Sequence, residues 1–114
     1  MSDVVFINRL QAKEGQRGEL IALLREFATS IHNEPGGVHY SLHHPIDDET
    51  GPLTVIQVFS SVAAFEEHGA WMGPNVPKLV ALLASPPEPP VLLDQISLTG
   101  HPRESFSAAP AQRD

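Results

Sequence analysis

With 114 residues and no cysteine, the chain has room for one domain with a modest core. Disulfides, thiolate metal sites and cysteine nucleophiles are excluded. Fourteen acidic residues against seven basic ones, a net charge of −7, argue against binding nucleic acid or an anionic membrane surface.

The apolar runs, such as LVALLA at 79–84, are too short to cross a bilayer. The opening MSDVVF lacks the basic region and cleavage pattern of a signal peptide. A cytoplasmic protein is expected, with itself or a small molecule as partner.

DVVFINRL (3–10) is rich in β-branched and apolar residues and reads as a strand. From Glu19 onward, Leu20, Leu23, Leu24, Phe27 and Ile31 fall at helical spacing with charges between them. NEPGG (33–37) stops that helix, because proline cannot continue it and the glycines permit a turn. VHYSLHH (38–44) and LTVIQVF (53–59) read as strands two and three, separated by the loop PIDDETGP.

Ser60 or Ser61 can cap a short helix through VAAFEEHG, which Gly69, Gly73 and Pro74 interrupt. Trp71 and Met72 then fall in a glycine-flanked break. Asn75 is expected to cap a further helix, VPKLVALLA, with its proline in the first turn. SPPEPP (85–90) is a stiff extended connector, and VLLDQISLTG (91–100) a last strand. Residues 1–100 thus form one domain, and the polar, aperiodic 101–114 a flexible C-terminal tail.

The order β-α-β-β-α-β is the ferredoxin-like plan, α+β, with a four-stranded antiparallel sheet and helices on one face. Val4 and Phe6 point one way and Val5 and Ile7 the other. Leu53, Val55 and Phe59 oppose Thr54, Ile56 and Val58. A sheet apolar on both faces needs cover on both, and the chain has too few helices to supply it. Burial is favourable by about 25 cal/mol per Å² of apolar area, so a homodimer packed sheet to sheet is expected.

A strand ending in NRL, a helix closed by EPGG, a tyrosine-bearing strand and then VFSSVAAFEEHG resemble, in order and spacing, the antibiotic biosynthesis monooxygenase domain family over residues 3–100. The resemblance implies a dimeric α+β barrel with a pocket between helices and sheet in each subunit. It also implies oxidation of phenols or quinols without metal or flavin in some members. Others degrade haem, isomerise small molecules or have no established activity, so fold alone does not name the reaction.

His68 shares a helix face with Ala64 and Phe65 and matches the histidine that family members often carry. An imidazole is suited to removing a phenol's proton, and a phenolate reduces dioxygen more readily than a phenol. The bland alternative is a histidine bonded to backbone. Glu67 points about 100° away on the helix and is a poor partner. Asn8 breaks an apolar strand on the face of Phe6 and Leu10, so its amide needs a ligand, a water or another side chain. It also matches an asparagine of the haem-degrading branch. The rest of that signature is missing, since a tryptophan is expected where His68 stands and NVPKLVALLA holds no histidine.

Trp71 can stack on a flat aromatic substrate or lid the core. Phe6, Phe27, Phe59 and Phe65 are core or pocket wall. His39 can reach the pocket from strand two. A metal at His39, His43 and His44 is disfavoured, because the first two lie about 13 Å apart along a strand and the last faces the other way.

Catalytic roles are therefore expected for His68 and Asn8. Substrate contacts are expected from Trp71, Phe59, Phe6, Phe27, Phe65 and His39, with no metal and no cofactor. A monooxygenase acting on an electron-rich phenol or quinol is the leading reading. A small-molecule isomerase and a non-catalytic binding dimer are the alternatives.

Overall fold

The computed structural model describes residues 3–100; the expected tail, 101–114, lies outside them. Four strands, β1 (Val4–Leu10), β2 (Gly37–His43), β3 (Leu53–Phe59) and β4 (Leu92–Asp94), form one sheet in the order β2-β3-β1-β4. All three pairings are antiparallel, which is the ferredoxin-like arrangement. Helix α1 (Arg17–His32) makes the first crossover. The second runs through α2 (Val62–Met72), a 3₁₀ turn (Gly73–Asn75) and α3 (Val76–Ala81). No helix among the described residues is long and apolar enough to cross a membrane.

Strand alternation decides what each face carries. β1 pairs with β3 from Val4↔Phe59 through Leu10↔Leu53, so Val4, Phe6, Asn8 and Leu10 share a face with Leu53, Val55, Gln57 and Phe59. Leu20, Leu24 and Phe27 of α1 pack onto Leu10, Leu53 and Val55 in the buried cluster, joined by Leu79 and Leu83. Tyr40 and Leu42 of β2, partners of Gln57 and Val55, lie on this face too. The opposite face presents Val5, Ile7, Thr54, Ile56 and Val58, and among the described residues Ile7 is left exposed together with the neighbouring Leu93.

The turn after α1 sets where α2 lies. Gly36 accepts a backbone hydrogen bond from Ser60 (2.9 Å), and a Cβ there would overlap the side chain of Ala64 on α2. At Gly37 a Cβ would meet Ile31 O at 2.5 Å. Both glycines are therefore required by close approach rather than by a positive φ. Ser61 caps α2, its Oγ accepting from Ala64 N at 3.0 Å. The first turn of α2 is thereby seated on residues 33–37.

Three expectations need correction. Trp71 and Met72 lie in the last turn of α2, not in a break, because the helix continues through Gly69 and ends only at Gly73; one glycine inside a helix costs about 1 kcal/mol, which packing offsets. Asn75 makes no capping bond, and its Nδ2 donates back to Trp71 O (3.1 Å). The last strand is three residues long rather than ten. β4 runs antiparallel to β1 from Phe6↔Leu92 to Val4↔Asp94, and Gln95 N reaches Asp3 O (3.2 Å). Beyond that, residues 96–100 pass the start of β1, leaving Ile96 and Leu98 94% and 71% exposed.

Replacing Gly36 with Ala should cost about 1–3 kcal/mol through overpacking, measured as a lower urea midpoint. Adding Ala64→Gly should restore part of the loss despite its own helix penalty; a Gly36→Ala single variant as stable as the parent would contradict the close approach.

Candidate active site

Between the helix-facing side of the sheet and helices α1, α2 and α3 lies a cavity of about 430 Å³, the size of a small-molecule site. Phe6, Asn8 and Gln57 floor it from β1 and β3, and Tyr40 from β2. Leu24 and Phe27 of α1 make one wall. Phe65, His68, Gly69 and Met72 of α2 roof it, and Pro87–Pro90 border its mouth. The connector expected to be merely stiff is thus part of the cavity.

His68 is the polar group of the roof, and it is 5% exposed. Its Nδ1 lies 3.1 Å from Oε2 and 3.2 Å from Oε1 of Glu34, in the turn on which α2 is seated. The same carboxylate accepts from Ser30 Oγ at 3.2 Å. A carboxylate on Nδ1 can only accept, so Nδ1 carries a proton, and in the neutral ring Nε2 holds the lone pair. Rings hold the imidazole in place: Phe59 at 5.3 Å and 39° on one side, and Trp71 stacked at 5.8 Å and 28°. The arrangement is an oriented imidazole in an apolar chamber, with an adjacent carboxylate able to stabilise an imidazolium.

Of the residues expected at the site, Phe6, Asn8, Phe27, Phe65 and His68 line the cavity. Phe59 sits behind it, with 0% of its surface exposed, packed on His68 and edge-on to Phe65. Trp71 backs His68 and meets Phe27 edge-on (5.7 Å). Its outer side, 39% exposed, lines a separate groove with Ser30, Glu34 and Glu67. Trp71 therefore supports the base rather than facing the cavity.

His39 does not reach the cavity. Its register with Val58 puts it on the opposite face of the sheet, where its Nε2 is 2.8 Å from Ser41 Oγ, with His43 Nε2 at 2.7 Å from the same oxygen. Burial and the neighbouring His43 hold the His39 imidazole below its ordinary pKa. Among the described residues no group of three or more His, Cys, Asp or Glu could hold a metal ion.

Three polar residues of the site were not anticipated. Glu34 was read only as part of a helix stop, and nothing local in the sequence pairs it with a histidine 34 positions on. Gln57 had a visible signal, as the one polar residue on an otherwise apolar strand face. Tyr40 is buried enough that its hydroxyl titrates well above the ordinary tyrosine value, and it stays neutral. Oδ1 of Asn8 and Oε1 of Gln57 are buried without a hydrogen-bond partner.

A ferredoxin-like sheet with a ligand-sized chamber beneath its helices defines a class of small-molecule site. Residues 3–70 match the model of the antibiotic biosynthesis monooxygenase family, and the chain belongs to this family.

Rv0793 from Mycobacterium tuberculosis is similar in structure, with a TM-score of 0.74 and 27% identity over 87% of this chain and 100% of that one. A mutant of SnoaB, a cofactor-independent oxygenase from Streptomyces nogalater, gives 0.75 and 21% over 89% of this chain and 100% of its own. A conserved protein from Methanosarcina mazei Go1 gives 0.73 and 16%, over 82% and 92%. The last two likenesses speak to fold alone. No curated protein matches the chain.

Substituting Glu34 by Gln should shift His68 away from the Nδ1–H tautomer, read in ¹⁵N chemical shifts of the ring, with the fold unchanged by circular dichroism. An unaltered tautomer in that variant would show that the carboxylate does not set the proton's place.

Proposed function

We propose that the chain is a cofactor-independent monooxygenase acting on an electron-rich phenol or quinol held in the cavity. The observation that carries this reading is the buried His68, with Nδ1 bonded to Glu34 and Nε2 left to accept a proton inside an apolar chamber. His68 Nε2 takes the phenolic proton, and the Glu34 carboxylate stabilises the imidazolium. The resulting phenolate transfers an electron to dioxygen. Recombination gives a peroxide that loses water, leaving one oxygen atom on the product. Asn8 hydrogen-bonds a substrate oxygen, and Phe6, Phe27 and Phe65 wall the reacting ring from water.

The functional unit in this proposal is a dimer. Ile7 and Leu93 are exposed on the open face of the sheet, and Ile96 and Leu98 beyond it. Together they form an apolar surface left uncovered by the described residues, the kind of surface that marks an interaction site. A second copy packed sheet to sheet, with residues 96–100 extending along its partner, buries all of it.

Oxygen uptake with a panel of anthrones, naphthols and quinols tests the chemistry. At least one compound should be consumed, and His68→Ala should lower the rate about 100-fold or more. Equal rates in the two proteins would remove His68 as the base, and no uptake with any compound would favour isomerisation or simple binding.

Light scattering tests the assembly. The wild-type mass should be twice the 12.4 kDa of the chain, and Ile7→Lys, at a position exposed in the single chain, should give a folded monomer. A wild-type protein that is itself monomeric and soluble would refute the dimer.

A further inference from the structure

The cavity floor holds more polar character than proton removal requires. Gln57 stands at the middle of β3, between Val55 and Phe59, and is only 7% exposed. Its Oε1 is buried with no hydrogen-bond partner, as is Oδ1 of Asn8. The register places Gln57 opposite both Phe6 and Tyr40, with Asn8 diagonal to it across the β1–β3 ladder, within side-chain reach. Three neighbouring strands thus each supply one neutral polar side chain, Asn8, Gln57 and Tyr40, to one floor.

An amide buried without a partner weakens the folded chain. Here an apolar residue of the same size would fit the surrounding Phe6, Val55 and Phe59 better. The amides therefore answer to something that enters the cavity. Its chemistry follows from theirs, because a primary carboxamide both donates and accepts. The complementary group is a hydroxyl or a carbonyl.

This group is distinct from the one His68 serves. The imidazole packs against Phe59, two residues from Gln57 and four from Val55, the partner of Asn8. Strand rise makes these steps about 7 Å and about 13 Å along the sheet. An oxygen atom under the imidazole at the Phe59 end is thus remote from the Asn8 amide opposite Val55. The walls between them are apolar and carry the rings of Phe6, Phe27 and Phe65.

We propose that Gln57, with Asn8 and Tyr40, forms a second subsite that reads a further oxygen substituent on a fused-ring aromatic ligand, at the end remote from the hydroxyl under His68. This rests on the reading of the cavity as a substrate site and adds the oxygenation pattern of that substrate.

Anaerobic titration calorimetry with 1-naphthol and 1,5-dihydroxynaphthalene tests the subsite without any turnover. Wild-type protein should bind the diol about ten-fold more tightly, the scale of one recovered hydrogen bond. In Gln57→Met that ratio should fall to near one while naphthol binding is kept, and the free protein should melt at a higher temperature. The opposing signs separate a ligand-reading amide from a structural one.

In His68→Ala the ratio should persist, so a failed base leaves this inference standing and a failed subsite leaves the base standing. A wild-type ratio near one, no binding of either compound, or an unchanged ratio in Gln57→Met would overturn the proposal. So would loss of stability in both Gln57→Met and Asn8→Leu.

Discussion

The site depends on one close approach, α2 lying directly on the turn that ends α1. Without a side chain at Gly36, the turn comes close enough for Ala64 to pack on it. That contact fixes the height of α2 over the sheet. One helical turn beyond Ala64, His68 meets the carboxylate of Glu34. A few tenths of an ångström more at the turn would lengthen that hydrogen bond and leave a buried imidazole without its partner, a costly state in an apolar setting. Gly36 thus sets the geometry of the cavity roof, although it does not line the cavity.

Two polar groups in the cavity are handled in opposite ways. His68 is fully supported, with a carboxylate on one nitrogen, two aromatic rings packed beside it and a serine behind the carboxylate. The amides of Asn8 and Gln57 have no such support. A group that must hold one tautomer while moving a proton needs to be oriented before the ligand arrives. A group that recognises a ligand must keep its hydrogen-bonding capacity unspent until then. The stability lost to the amides, about 1–3 kcal/mol for each unsatisfied group, is compatible with the well-packed cluster around Leu20, Leu24 and Phe27.

Strands and helices were legible because their signals are local. The alternation of LTVIQVF set β3 to the residue, and the spacing of Leu20, Leu24, Phe27 and Ile31 marked the buried stripe of α1. A serine cap at 60 or 61 was recognisable from position alone, and Ser61 supplies it. Legibility failed where the outcome depends on distant partners. Ten residues with strand character yielded three because β1 begins at Val4, a limit written at the other end of the chain. His39 faces away from the cavity because pairing with Val58 decides its side, and strand propensity carries no parity. Glu34 and His68 meet only through the tertiary contact at Gly36.

The same topology that shortens β4 also shapes the cavity mouth. β1 pairs with β4 at Val4–Phe6, and beyond Leu10 the chain bridges again at Ala12↔Leu83. Between these points, Pro87, Pro89 and Pro90 cannot donate to a ladder, so the segment arches away from β1 instead of zipping onto it. A second cavity of about 250 Å³, lined by Ile7, Asn8, Arg9 and Glu88, opens in that gap. Asn8 and Glu88 border both this cavity and the main one. The prolines therefore leave β1 without a β4 partner from Ile7 to Leu10, at the sheet edge where Asn8 lies.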